Sequence, residues 1–526
     1  MKLKISSQTV IALLLGTAAG FLFYYSTKPL HAHFDYTFRI AGALLRGHVG
    51  LSEHPGSWLN ELVPLKGKFY SVFPLGAVLA QIPTALLHKM SLIRYWPAQV
   101  TASVVAAGCV YFCYRLTYVV RMTQARRILL ALFPVFATFT WTNMGFAGAW
   151  QIALGFALLG QSASLYFTLV RPNPILAGAF FALAFGNRVE LVLVTPIFLY
   201  FWLFRVGPLH SPPPDSAALP DPIPADPLPQ DPVEPDPTSS ELTPATSAET
   251  AAPNLIQPEA TPPDSVTDTL TPPAPDTSDS LPVASEAANL IEPEATPSDS
   301  VTDTLTPSTP DTPDSLPVAS EAPELTPPAP APAPVWHKKY HPALIRTAKF
   351  IAVPALMLLA MAAYNYSRFH SVADFGYARI PGVLNEPWYR HGLFSFYSIP
   401  WNVHKMLFES AGDMPVFPYI RFYPFGCSIF TSCPFLFMLF REGGKYRLPC
   451  WLAIAGLTMV LWLHGNPGGW QFSYRYAMIM LPWMFLLIVG NGPRRLTATE
   501  TTLFLVSVGI NALANYEFLF KDLVHP

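Results

Sequence analysis

The chain has 526 residues, of which 51% are hydrophobic and 13% charged, with a formal net charge of −2. Soluble domains carry about 25% charged residues, so an ordinary soluble enzyme and a basic nucleic-acid-binding module are both excluded. Repeated apolar runs of roughly 17–25 residues imply instead an all-α, polytopic membrane protein.

The net charge hides an asymmetry. Residues 206–336 hold 22 Asp and Glu and no Lys or Arg, which leaves 32 basic and 12 acidic residues for the rest, about +20. That balance favours anionic partners such as lipid phosphates, although part of it is a topology signal. Cys109, Cys113, Cys427, Cys433 and Cys450 lie in or beside apolar runs. They are expected to be core thiols.

In chain order, a first span is expected over Thr9–Ser26, uncleaved, with Lys2 and Lys4 before it. The positive-inside rule then puts the N-terminus in the cytoplasm and an outer loop at 27–73. Within that loop, Tyr36–Arg46 has the spacing of a short helix lying on the membrane surface. Asp35 precedes it, so this acid suits the helix N-cap, a general base at the membrane surface, or both at once. His31, His33, His48, His54 and Glu61 occupy the same loop. Phe73–Leu87 is short for a span, and crossing there would place the four arginines of Arg115–Arg127 outside. A re-entrant or interfacial helix is therefore expected.

Further spans are expected near Tyr95–Tyr114, Ile128–Thr142 and Trp150–Val170, with two short ones in Ile175–Tyr200 on either side of Arg188 and Glu190. Ionisable residues at membrane depth are expensive and face a cavity or a partner. After the acidic stretch come Phe350–Tyr366, an outer segment at 366–423, and four more spans. The total is about eleven, with the C-terminus outside. The chain thus divides into a membrane half at 1–205, an insert at 206–336 and a second membrane half at 337–526. The insert contains a 35-residue repeat starting at Asn254 and again at Asn289. Its composition cannot offset its ordering entropy, so a disordered cytoplasmic linker is expected, or else a docking tail.

The residues suited to chemistry gather in the outer segments. Lys68 and Tyr70, in GKFYSVFPLG, suit a lipid phosphate, though an interfacial lysine beside an aromatic belt would look the same. Arg368 and Tyr377 belong to a stretch in which aromatic residues interleave with cations, as a sugar beside a phosphate requires. Gln471, Tyr474 and Arg475 follow the Gly/Pro-rich turn HGNPGG.

Four stretches together, HFDYTFRIAGALLRGHVGL, GKFYSVFPLGAVLAQIP, YNYSRFHSVADFGY and GGWQFSYRYAMIMLP, resemble the GT-C superfamily of integral-membrane glycosyltransferases. The likeness is to bacterial relatives of the protein O-mannosyltransferases and aminoarabinose transferases. The resemblance implies transfer of a sugar from a polyprenyl-phosphate donor to a glycan, lipid or protein acceptor in a cavity facing away from the cytoplasm. It places the catalytic acid at Asp35. From the residue types, substrate contacts are expected from Arg39, Lys68, Tyr70, Arg188, Arg368, Tyr377, Gln471 and Arg475. The superfamily's commonest form has two acids adjacent or nearly so, whereas Asp35 is followed by Tyr36. A paired-acid or metal-assisted mechanism is therefore in doubt, and no cofactor is expected. Glu61, Glu190 and Asp374 are the next acids in line. A polyprenyl-lipid flippase or transporter, or a polysaccharide polymerase or ligase, would share the apolar body and the cationic cavity.

Overall fold

The computed structural model describes residues 6–28, 34–53, 61–205, 335–415, 417 and 419–521, with the side chains of 335–340 left aside. His31, His33, His54 and the acidic repeat insert lie outside these residues.

The described chain is mostly helical. It begins with α1 (Ser7–Ser26), capped by the Ser6 hydroxyl on the Thr9 amide, and α2 (Tyr36–Leu44). A hairpin of β1 (Leu62–Leu65) and β2 (Lys68–Ser71) follows, paired so that Leu62 faces Ser71. Its two turn residues, Lys66 and Gly67, both have positive φ (50° and 72°), as the tight hairpin turn with the right twist requires. This hairpin was not expected from an all-α pattern. It is too short to carry the helical or strand periodicity by which elements are recognised.

Next come α3 (Leu75–Leu79) and α4 (Ile82–Lys89), two short helices broken at Ala80–Gln81, where a single interfacial helix was expected. Then follow α5 (Ala98–Leu116), α6 (Gln124–Phe136), α7 (Thr140–Gly145), α8 (Ala149–Leu169), α9 (Pro174–Asn187) and α10 (Thr195–Tyr200). The expected span over Ile128–Thr142 divides into α6, which runs through Pro134 to Phe136, and α7; at the break the Thr138 hydroxyl donates to the Pro134 carbonyl.

The second half comprises α11 (Val335–Phe369), α12 (Ile399–Val403), the two-residue strands β3 (Gly412–Asp413) and β4 (Ile420–Arg421), α13 (Ile429–Ser432), α14 (Arg447–Leu463), α15 (Leu481–Asn491) and α16 (Ala498–Asn515). The stretch before Arg441 is not one long helix. It breaks at Cys433–Pro434 into α13 and a 3-10 turn over Pro434–Phe440.

Among the described residues, five helical stretches are long and apolar enough to cross a membrane: Ser7–Ser26, Ala98–Val119, Ala149–Leu169, His341–Phe369 and Ala498–Phe520. Apolar side chains such as Leu14, Phe21, Val104, Leu359 and Leu505 stand exposed on them, the arrangement a lipid-facing surface needs. Pro174–Asn187, Arg447–Leu463 and Arg475–Asn491 are apolar but shorter.

Small residues set the closest approaches. A side chain at Gly16 would strike the Ala107 carbonyl where α1 lies on α5, and one at Gly76 would overlap the backbone of Gly186 where α3 lies on α9. The five cysteines are all buried and free, as expected of core thiols.

Candidate functional site

α2 forms over the residues its pattern suggested and packs into the protein. It is wedged against α3, α4 and α8, with Tyr36, Thr37, Phe38, Ile40, Ala41 and Ala43 buried. Its N-cap position is Asp35, but the carboxylate makes no capping hydrogen bond. It accepts instead from Arg39 Nε at 2.6 Å, one turn along. The ion pair fixes the orientation of the acid, which is 8% exposed.

Asp35 and Arg39 form part of the wall of a cavity of about 1020 Å³. Arg46 and Arg94 add cations to the wall and Glu53 an acid, while Phe38 and Trp96 are nearly parallel 6.4 Å apart within it. Tyr24 at the end of α1 and Ala98–Val100 at the start of α5 complete the lining, so the cavity sits at the ends of two membrane-length helices.

A second group of polar side chains adjoins the first through Tyr36, whose phenol is raised well above its usual value by burial and by the two nearby carboxylates, Glu61 and Asp35. Here four distant segments meet. The segment leading into β1 supplies Glu61. The break after α9 supplies Arg188, bonded to Glu190 by Nε (2.9 Å) and Nη2 (2.6 Å). The segment after α11 supplies Tyr377, hydrogen-bonded to the Tyr389 hydroxyl at 2.9 Å. The turn before α15 supplies Arg475 and Tyr476. The guanidiniums of Arg188 and Arg475 lie 4.9 and 5.2 Å from the centroid of the same Tyr476 ring, a cation–π arrangement that strengthens where water is excluded.

Glu61 faces both arginines. Burial pushes its carboxyl up to about 7, against the opposing pull of Arg475 and then Arg188. Burial also raises Tyr377 far above the usual phenol range, helped by Tyr476, Tyr389 and Glu61. It holds the imidazole of His464, 6.2 Å from Tyr476, below its ordinary value.

The turn that presents Arg475 is held by buried amides. Asn143 donates to the Phe472 carbonyl at 2.7 Å and accepts from its amide at 3.3 Å. Gln471 donates to the Pro467 carbonyl at 3.1 Å and accepts from the Arg475 amide at 3.3 Å. Gln471 is thus a scaffold residue, fully buried. Arg475 Nη1 reaches the Trp470 carbonyl at 3.3 Å, while its Nε is buried with no hydrogen-bond partner among the described residues.

The remaining expected site residues lie elsewhere. Arg368 is 2% exposed and clamps α11 to the hairpin, donating to the carbonyls of Ser71 and Tyr364 and to Asn365 Oδ1. Tyr70 packs edge-on against Phe369. Lys68 is exposed beside the hairpin turn. Of the expected residues, then, Asp35 and Arg39 share the cavity, and Arg188, Tyr377 and Arg475 meet around Glu61. Tyr36, Tyr389, His464 and Tyr476 were not anticipated. The signal for Tyr476 was its place directly after Arg475. The other three are ordinary aromatic residues in their local sequence.

No protein-family model, curated protein or solved structure matches the chain.

Proposed function

We propose that the protein is a membrane glycosyltransferase of GT-C type that takes a sugar from a polyprenyl-phosphate donor at the outer face of a cell's inner membrane. The observation that carries this is the convergence of Arg188, Tyr377 and Arg475, from three separated segments, beside a cavity that contains Asp35. A lipid-linked sugar offers a phosphate for the cations, hydroxyls for the polar rim, and an apolar chain for the membrane-facing side. On this reading the chain crosses the membrane about eleven times, with the N-terminus in the cytoplasm and the C-terminus outside.

The reaction is an inverting displacement. An acceptor hydroxyl, on a glycan, lipid or protein, attacks the anomeric carbon. The new C–O bond forms as the bond from that carbon to the phosphate oxygen breaks, and the electron pair leaves with the prenyl phosphate. The hydroxyl proton passes to the Asp35 carboxylate, which Arg39 orients. Arg188 and Arg475 offset the charge that builds on the departing phosphate, a task suited to cations fixed in place before the reaction. The phosphate is already a good leaving group, so this scheme needs no further cofactor.

The test is turnover of purified protein with polyprenyl-phosphate sugars, wild type against Asp35→Asn. Asn leaves the size of the side chain nearly unchanged and removes the proton acceptor, so a loss of about 10²–10⁴-fold is expected. Wild-type turnover in the Asn variant removes Asp35 from the mechanism. No transfer from any donor by the wild type, with the donor shown to bind, counts against the reading as a whole.

A further inference from the structure

The transferase reading leaves Glu61 without a task, yet this acid stands where the cations converge. It approaches Arg188 and Arg475 without forming an ion pair to either: the ion pairs among the described residues join Arg188 to Glu190 and leave Arg475 out. Arg475 also keeps its buried Nε unpartnered among those residues. A guanidinium that is 4% exposed, with a donor unspent, is costly unless something else supplies an acceptor. Both arginines are held against one aromatic ring, and both act electrostatically on the Glu61 carboxyl.

We propose that Arg188, Arg475 and Glu61 form a proton-linked anion site, which takes a phosphate or phosphate-like group when Glu61 is neutral and loses it when Glu61 ionises. Neutral Glu61 offers an O–H to the anion and leaves Arg475 uncompensated, while Arg188 keeps its pairing with Glu190. Ionised Glu61 repels the anion and supplies the negative charge itself. Among the described residues, Tyr36 faces Glu61 from α2, Tyr377 from the segment after α11, Arg188 from the end of α9, and Arg475 from the turn before α15. Both phenols stay protonated across the neutral range because burial raises them. Glu190 is committed to Arg188, and burial keeps His464 neutral. Glu61 is therefore the group that titrates near pH 7. Its rise to about 7 comes from burial, with the arginines pulling the other way, so binding an anion, which offsets the arginines, should raise it further.

The inference rests on the transferase reading only for what the anion is used for; the site itself is tested by binding alone. Sulfate is the probe, because its charge does not change between pH 5 and 9. With the full chain in detergent, sulfate affinity is expected to fall by about tenfold per pH unit above pH 7, as release of one linked proton requires. Glu61→Gln should bind sulfate with no such slope and about tenfold more tightly than wild type at pH 8. Arg475→Gln should bind weakly at every pH. A slope that survives in Glu61→Gln, or no sulfate binding by the wild type at pH 6, overturns the proposal. The slope is read on the unmodified protein, so an unstable variant does not leave the question undecided. Inorganic phosphate and a short polyprenyl monophosphate, compared at pH 6, separate the two sources of the anion. Tighter binding of the lipid assigns the site to the donor headgroup, and equal binding assigns it to free phosphate. Loss of sugar transfer with sulfate binding intact would strike the transferase reading and leave the anion site standing.

Discussion

Arg126 Nη2 and Glu500 Oε1 lie 3.0 Å apart, and neither side chain is exposed at all. The two residues come from the first turns of α6 and α16, far apart in the chain. Glu500 also accepts from Arg441 Nη1 at 2.6 Å and closes a capping box with Thr497. One carboxylate thus ties α6, α16 and the segment before α14 together at one end of the bundle.

Removing one member of a buried ion pair leaves the other uncompensated, at a cost of about 3–5 kcal/mol. Glu500→Gln should therefore lower the melting temperature in detergent sharply. Glu500→Asp, which retains the charge, should recover part of the loss. A melting curve for each variant checks this, and an unchanged curve for Glu500→Gln would show that the triad does not hold the bundle.

The contact between α3 and α9 predicts an asymmetry. A methyl group at Gly76 meets the backbone of Gly186, which cannot move aside alone. One at Gly186 meets the flexible end of Met357 at 2.8 Å and Gly76 Cα at 3.2 Å. Overpacking typically costs about 1–3 kcal/mol. Gly76→Ala should sit at or above the top of that range and Gly186→Ala near the bottom. Side-by-side melting of the two variants checks the order.

Arg368 was expected to touch substrate, and its hydrogen bonds give it a different task. Hydrogen bonds to charged groups contribute about 1.5–3 kcal/mol each. Arg368→Ala should therefore loosen the β1–β2 hairpin as well as destabilise the fold. Trypsin acting at Lys66 and Lys68 should cut the variant faster than the wild type. Arg368→Lys lacks the planar fork and should fall between the two.

Much of this was legible in the sequence, for reasons that differ from element to element. α1, α5, α8, α11 and α16 announce themselves because a membrane-length apolar run has few alternatives. The Arg188–Glu190 pair was legible because two ionisable groups in an apolar run need each other. Arg475 and Tyr377 were recognisable by type, but their meeting place was not, since nothing local to either says that the other lies across the same tyrosine. Asp35 was placed correctly at the head of α2. Of the two readings of its side chain, the cap is not made: Asp caps helices well, yet here the carboxylate accepts from the arginine four residues on. Arg126 looked like one more cation in a basic loop. Only the return of the chain at α16 shows it buried against Glu500.

The Glu61 carboxyl gives a pH dependence with a definite sign. Its ordinary value is about 4.5 and burial pushes it up to about 7. The folded protein therefore keeps a proton that the unfolded chain has already lost. Stability from this group is highest in acid, declines as pH rises from about 4.5 toward 7, and is flat beyond. Glu61→Gln removes the slope, so the variant's melting temperature should match the wild type at pH 4.5 and exceed it at pH 7.5. Equal melting at both pH values would show that Glu61 is solvated like a surface acid.

The five buried cysteines carry a practical consequence for mapping which segments face which side. A chain whose own thiols are all shielded in the core already behaves as a silent background for a bulky, water-soluble maleimide. Single reporters can be placed without stripping the native residues. Lys68→Cys, at an exposed position on the hairpin, should react from outside intact cells. Lys445→Cys, in the exposed turn before α14, should react only after the membrane is opened. The opposite pattern would turn the molecule over in its bilayer.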